Sequence, residues 1–260
     1  MSTPARPVVL VIAGSDSSGG AGIVRDVQTL TDLDTDALCV VTAVTAQSNR
    51  SVAAVHIIPS ELVRAQIEAA YATRRPDAVK IGMLGNRTTV EAVAEALGRL
   101  GVGTAPIVLD PVLMSSSGGA LLDEEGRQAL KERLIPLATV LTPNVPEAVA
   151  LLREASAAGE AALDLLAQRL LGLGARAVLL KGGHAEEGEA IDRLAVTNAP
   201  LRRLAAPRVS IMRRGTGCAL ASAIAARLAH GVTLLEACQS AKDHVRASLL
   251  GELRRTAISL

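Results

Sequence analysis

Short runs of aliphatic residues alternate with longer stretches of helical periodicity along this chain. Continuous apolar runs at 8–13, 38–44, 78–81, 107–109, 139–141 and 177–180 predict strands covered on both faces. Between them, Ser60 is placed to cap a helix over 61–73, Thr88 with Glu91 forms a capping box opening a helix to about Leu100, and Asp123 caps a helix over 124–134. Helical patterns follow at 145–153, 161–171, 217–229 and 234–253, and the stretches 191–196 and 204–209 predict two further strands. Such alternation predicts an α/β fold, with a mostly parallel central sheet, helices on both faces and right-handed crossovers, in one domain over 1–260. Ligands of such sheets sit beyond the carboxyl ends of the strands.

Composition narrows the partners. The chain has one aromatic residue, Tyr71, so its core is built from Ala, Leu, Val and Ile, and modules that stack bases on aromatic rings are disfavoured. A net charge of +1 gives no reason to expect nucleic acid or a membrane surface as partner. The cysteines Cys39, Cys218 and Cys238 are odd in number and lack a C-x-x-C pair, which predicts neither a disulfide framework nor a zinc cluster. Cys39 and Cys238 read as small buried hydrophobes. No apolar stretch reaches the roughly eighteen residues of a membrane span, and the first residues lack a signal peptide's apolar run, so a soluble cytoplasmic protein is expected.

The informative residues follow the strands. After the first comes Gly14-Ser15-Asp16-Ser17-Ser18-Gly19-Gly20-Ala21-Gly22. Its glycines fit a ligand-cradling loop and fit a tight strand-to-helix turn equally well. It is not a Walker A loop, because Gly20-Ala21 stands where Lys and Ser/Thr are needed, and Arg25 breaks the dinucleotide fingerprint. Lys80-Ile81-Gly82-Met83-Leu84, Asp110-Pro111-Val112, Thr142-Pro143-Asn144 with Glu147, and Lys181-Gly182-Gly183-His184 end later strands. Carboxylate and amide oxygens suit Mg²⁺, and a lysine suits a nucleotide phosphate. Each alone also reads as a helix cap or a surface charge. Together, at successive strand ends, they point to one rim.

Arg214-Gly215-Thr216-Gly217-Cys218 then enters an Ala-rich helix. Backbone N–H groups there would form an anion hole, and a cysteine at a helix N-terminus should favour the thiolate, able to accept a proton from a substrate hydroxyl. The histidines carry less: His56 reads as packed or surface, His230 as a helix-end cation, His244 as a solvated face, and His184 as a nucleotide contact or a turn residue.

The set AGSDSSGGAG (13–22), TAQ (45–47), KIGML (80–84), DPV (110–112), TPNVPEA (142–148), LLKGGH (179–184) and GTGC (215–218) resembles the hydroxymethylpyrimidine/phosphomethylpyrimidine kinases of thiamine synthesis, members of the ribokinase-like superfamily. The resemblance implies a three-layer ribokinase-like fold, a homodimer, and use of ATP and Mg²⁺ to phosphorylate a pyrimidine alcohol and then its monophosphate. It implies that Gly14, Asp26 and Gln47 hold the aminopyrimidine ring, with Met83, Val112 and Cys218 as pocket wall. It assigns Asp110 and Glu147 to the metal, Asn144 and Lys181 to the nucleotide phosphates, and Gly215, Thr216, Gly217 and Cys218 to the anion hole, with Cys218 where many relatives carry an aspartate base. Two segments depart from the family: Ser48-Asn49-Arg50-Ser51 at the flap, and Arg213-Arg214 where Thr-His is usual.

Three readings result. The first is a Mg·ATP kinase of hydroxymethylpyrimidine and its monophosphate. The second is a pyridoxal kinase on the same scaffold, since Cys218 could add to an aldehyde. The third is a weakly active or inactive scaffold, engineered or reconstructed, suggested by the altered flap and the near-absence of aromatic residues.

Overall fold

The computed structural model describes residues 5–48, 50–101, 105–115, 118–154, 159–182, 188–211 and 213–251. Nine strands form one sheet: β1 (Val8–Asp16), β2 (Asp36–Gln47), β3 (Val52–Ile57), β4 (Ala78–Ile81), β5 (Ile107–Leu109), β6 (Val140–Leu141), β7 (Ala177–Leu180), β8 (Glu189–Val196) and β9 (Arg202–Pro207). Their order is β3-β2-β1-β4-β5-β6-β7-β8-β9, parallel from β2 to β7, with β3, β8 and β9 antiparallel at the edges. The chain builds outward from β1 in one direction and then from β4 in the other. The sheet therefore reverses its order between β1 and β4, where a crevice opens at the carboxyl ends.

Among the described residues, eight α-helices cover both faces: α1 (Gly22–Asp32), α2 (Ser60–Thr73), α3 (Arg87–Arg99), α4 (Glu124–Ala129), α5 (Val145–Leu152), α6 (Glu160–Leu171), α7 (Thr216–Ala229) and α8 (Leu234–Leu250). Successive side chains of β1 face opposite ways. Leu10 and Ile12 join the core under α2 to α6, and Val9, Val11 and Ala13 join the core under α1, α7 and α8. The second core is filled largely by alanine, with Ala221, Ala223, Ala225 and Ala226 of α7 fully buried. Tyr71 packs at the margin of the first core, with Arg75 over its ring.

The three strands at 78–81, 107–109 and 177–180 coincide with the apolar runs. β1 and β2 run on past theirs into polar residues, because pairing continues to Asp16 and Thr45. Three details differ from the sequence reading. Ser60 opens α2 as its first residue and makes no capping bond. The cap of α3 is Asn86, whose side chain accepts from Thr89 N, while Thr88 only donates to Asn86 and Glu91 pairs with Arg87 at 2.8 Å. The helix after Asp123 gives way at Leu130–Leu134 to a wider π turn. Asp123 caps as expected, and α8 ends at Gly251 in a left-handed conformation that glycine adopts freely.

Cys238 is buried, whereas Cys39 is exposed, in the first half of β2 that β1 pairs but β3 does not reach. His56 is exposed on β3. His230 closes α7 with its ring nitrogen 3.1 Å from Leu33 O. His244 is half-buried rather than solvated, and burial lowers its pKa. His184 lies outside the described residues, as do 252–253 of the last expected helix. Among the described residues no helix is long and apolar enough to cross a membrane.

Replacing Asn86 by Ala is expected to cost about 1 kcal/mol through loss of the α3 cap, and replacing Thr88 by Ala well under half of that. Urea denaturation of the two variants checks which residue caps the helix.

Candidate active site

Three adjacent parallel strands bring four of the expected residues to one point. Asp110 follows β5, Asn144 and Glu147 follow β6, and Lys181 follows β7. Lys181 Nζ lies 2.9 Å from Asp110 Oδ1 and 3.8 Å from Glu147 Oε2. A bridge between Asn144 and Lys181 continues the β6–β7 pairing past the strands and fixes this spacing. Asn144 and Glu147 also form a reciprocal capping box on α5, with Asn144 N donating to Glu147 Oε2 and Glu147 N donating to Asn144 Oδ1, each at 2.8 Å. The helix cap and the cluster of charges are thus the same residues.

The electrostatics follow from burial. Burial pushes the Glu147 carboxyl up to about 7; Lys181 pulls it down and the Asp110 charge adds to the rise. Against the cost of its own burial, Asp110 and Glu147 hold Lys181 above its ordinary value. Two buried carboxylates sharing one ammonium make a cluster that further positive charge would stabilise. Among the described residues no three acidic, His or Cys side chains are grouped as a cage. Two carboxylate side chains, Asp110 and Glu147, both contacted by Lys181, are a donor set that would suit Mg²⁺ completed by phosphate oxygens and water.

The turn before α7 closes over this cluster. A Cβ on Gly217 would lie 3.3 Å from Lys181 Nζ and 3.7 Å from Asp110 Oδ2. Gly215, at φ +74°, touches the loop after β1: a Cβ there would sit 2.1 Å from Gly20 O. Gly22, at φ +59°, packs the same loop on itself, with a Cβ position 2.3 Å from Gly14 O. Both positions need glycine for conformation and for space. Thr216, Gly217 and Cys218 are the first three residues of the 14-residue α7, where backbone N–H groups lack helical acceptors.

The residues expected to hold the ring lie at or after the ends of β1, β2, β4 and β5 and on α1. Gly14 leaves room for Met83, whose Sδ would be 2.8 Å from a Cβ there. Gln47 ends β2, half-buried, with its Oε1 accepting from Thr45 Oγ1 at 3.2 Å. Val112 follows Asp110, and its N donates to Asp110 O at 2.9 Å. Asp26 lies deeper than the others and is fully buried. Its Oδ2 accepts from Lys80 Nζ at 2.7 Å and its Oδ1 from Ser222 Oγ at 2.8 Å. Burial pushes the Asp26 carboxyl up, and Lys80 and Ser222 pull it back; the same contact holds Lys80 protonated, up to about 12. The pair is a buried ion pair. A ring could use only the remaining lone pairs of Asp26.

Lys80 and Ser222 carry no role in the sequence reading, although a signal existed for Lys80. A lysine inside an otherwise apolar, doubly covered strand must find a carboxylate. Gly82 then follows as a spatial need, since a Cβ there would lie 2.8 Å from Lys80 Nζ.

Cys218 departs from its expectation. Burial pushes its thiol up to about 11; Lys80 and the Gly22 backbone N–H pull down, and Asp26 and Asp110 push further up. The N-terminus of α7 does not produce a resting thiolate, because desolvation and two carboxylates outweigh it. At neutral pH the resting group is the thiol.

A doubly covered parallel sheet, a glycine-led helix start with free N–H groups, and a lysine between two carboxylates are the features of a phosphotransferase of the ribokinase-like type. Comparison with known proteins bears this out. A family model described as phosphomethylpyrimidine kinase matches residues 16–258. The hydroxymethylpyrimidine/phosphomethylpyrimidine kinase of Rhizobium meliloti is 44 % identical over 243 residues, covering 93 % of this chain and 90 % of that protein. The crystal structure of phosphomethylpyrimidine kinase from Clostridium difficile 630 superposes with a TM-score of 0.81 at 36 % identity, over 94 % of this chain and all of that one. An ADP complex of Bacillus subtilis pyridoxal kinase gives 0.85 at 31 % identity, over 94 % and 91 %. The chain belongs to the phosphomethylpyrimidine kinase family.

Asp26→Ala would leave Lys80 buried and unpaired, and is expected to cost about 3–5 kcal/mol of stability. Calorimetry checks this before any kinetic effect is assigned to the ring. Glu147 gives a pH signature. Its folded pKa of about 7 exceeds the ordinary glutamate value of 4.5, so the folded state binds more protons in between and stability falls as pH rises through that window. Glu147→Gln removes the effect. Its melting temperature relative to wild type is expected to rise from pH 5 to pH 8, and thermal melts at both values check the sign.

Proposed function

We propose that this chain is an ATP- and Mg²⁺-dependent kinase that phosphorylates the hydroxymethyl group of 4-amino-5-hydroxymethyl-2-methylpyrimidine and then the resulting monophosphate, in thiamine biosynthesis. The observation that carries this reading is Lys181 between Asp110 and Glu147, directly beneath the Gly215–Cys218 turn. Phosphoryl transfer needs positioning and charge neutralisation at one place, and this is the place where the described residues provide both. Asp110 and Glu147 would hold Mg²⁺, which when bound neutralises charge on the phosphates. Asn144 and Lys181 orient the nucleotide phosphates, and the N–H groups of Gly215, Thr216, Gly217 and Cys218 receive the transferring group. Gly14, Asp26, Gln47, Met83 and Val112 hold the pyrimidine on the other side of the turn.

In the chemical step the substrate oxygen bonds to the terminal phosphorus, the bond from that phosphorus to the bridging oxygen breaks, and the hydroxyl proton passes to Cys218 Sγ. The acceptor is the thiolate, a minor form of a group whose pKa lies near 11. Lys80, lying under the site, is the cation that lowers the cost of forming it.

An assay of ADP release with the pyrimidine alcohol tests the reading, and no turnover by folded protein would refute it. Cys218→Ala is expected to lower kcat by about 100-fold or more while melting normally. Wild-type kcat/KM should climb with pH between 7 and 9, because the thiolate fraction climbs; a flat profile would remove Cys218 as the base. Pyridoxal phosphorylation is the second reading, favoured by the backbone similarity to the Bacillus subtilis pyridoxal kinase. The ratio of kcat/KM for the two alcohols decides between them.

A further inference from the structure

Arg214 immediately precedes the anion-binding turn, yet its guanidinium points away from the phosphate cluster and into the ring side. Nη2 lies 3.0 Å from Asp16 Oδ2. Nη1 donates to Ser48 O at 2.6 Å and to Ser18 Oγ at 3.2 Å. One planar fork therefore joins three segments: the end of β1, the loop that follows it, and the residue next to Gln47 at the end of β2. The ion pair is the sheltered contact, with the Arg214 side chain 17 % exposed and that of Asp16 only 4 %, while the bonds to Ser18 and Ser48 lie at the surface.

Each acceptor is itself built into the ring side. Asp16 Oδ1 accepts from Ser18 N at 2.9 Å and Ser18 Oγ at 2.8 Å, so the carboxylate shapes the loop with one oxygen and holds Arg214 with the other. Ser17 Oγ donates to Gln47 O and accepts from Gln47 N, each at 2.9 Å, which pins Gln47 to the same loop. The neighbouring Arg213 turns elsewhere among the described residues and donates to Ser248 O at 3.4 Å. A lysine could not reproduce three acceptors in one plane.

We propose that Arg214 is a positioning residue that sets Gln47 and the Gly14–Gly20 loop at a fixed distance from the anion-binding turn, and so governs capture of the pyrimidine alcohol rather than of the nucleotide. Asp16 is its partner in this role. The proposal rests on the kinase reading above for its kinetics, but the geometry can also be read without substrate.

Steady-state kinetics and hydrogen–deuterium exchange on wild type, Arg214→Ala, Arg214→Lys, Asp16→Asn and the double variant Arg214→Ala/Asp16→Asn test it. In Arg214→Ala, KM for the pyrimidine alcohol is expected to rise about tenfold, with KM for ATP within twofold of wild type. Asp16→Asn should do the same, and the double variant should be no worse than the worse single one. Arg214→Lys should recover only part of the loss. Equal changes in both KM values, or full additivity of the two substitutions, would overturn the proposal. Without substrate, amides of Ser18, Gly19, Gln47 and Ser48 should exchange at least fivefold faster in Arg214→Ala, and unchanged exchange would overturn it too. If the wild type turns over no pyrimidine alcohol, the kinase reading fails while the exchange result still decides the role of Arg214. If Arg214→Ala fails to fold, Arg214→Lys carries both readouts, and wild-type values in it would count against the proposal.

Discussion

The ion pair between Lys80 and Asp26 is the contact on which the site is hung. Neither side chain has any exposed surface, and the 2.7 Å contact crosses from β4 to α1, with Ser222 of α7 as third member. Those three elements carry the crevice, the loop after β1 and Cys218. Two charges so deep are costly to desolvate, and only their mutual contact and added hydrogen bonds make them tolerable. A shift of α1 or α7 against the sheet would break that contact. The pair is therefore a poor way to gain stability and a strict way to fix the relative placement of three elements.

Around that fixed point the site is assembled by backbone contact. The left-handed glycines at 22 and 215 let the loop after β1 and the turn before α7 touch through main-chain atoms. The alanine-filled face of α7 lets the helix settle closely on the sheet. A core nearly without aromatic rings is thus compatible with a tightly built rim, because the rim is made of backbone, glycine and short polar side chains. Lys181 then organises the far side, holding two carboxylates that would otherwise repel each other.

Cys218 shows where a local rule meets its surroundings. The N-terminus of a helix favours a thiolate by its dipole and free N–H groups. Here the same residue lies among Asp26, Asp110 and apolar packing, and the neutral thiol prevails at rest. Lys80 opposes this, so the cation that fixes the fold also sets how much thiolate the site can form. Thr88 teaches the same lesson at smaller scale: its spacing to Glu91 matched a capping box, but Asn86 lay two residues nearer the N-terminus and its side chain reached the free N–H group first.

Much of the architecture was legible in the amino-acid sequence. Apolar runs of strand length marked the parallel core, and the strand-end residues Asp110, Asn144, Glu147 and Lys181 could be assigned to one rim, because parallel strands deliver their carboxyl ends to one edge whatever the rest of the chain does. The glycines at 215 and 217 and the cysteine after them marked the glycine-led start of α7 for a similar local reason. The partner of Lys80, the ionisation of Cys218 and the direction of Arg214 were not legible. Asp26 is 54 residues from Lys80 and Asp16 is 198 from Arg214. Pairings over such separations, and the burial that shifts a thiol, depend on which surfaces meet. Local sequence determines what each segment can offer at the rim; tertiary packing decides which charges lose their water and which partners they then must find.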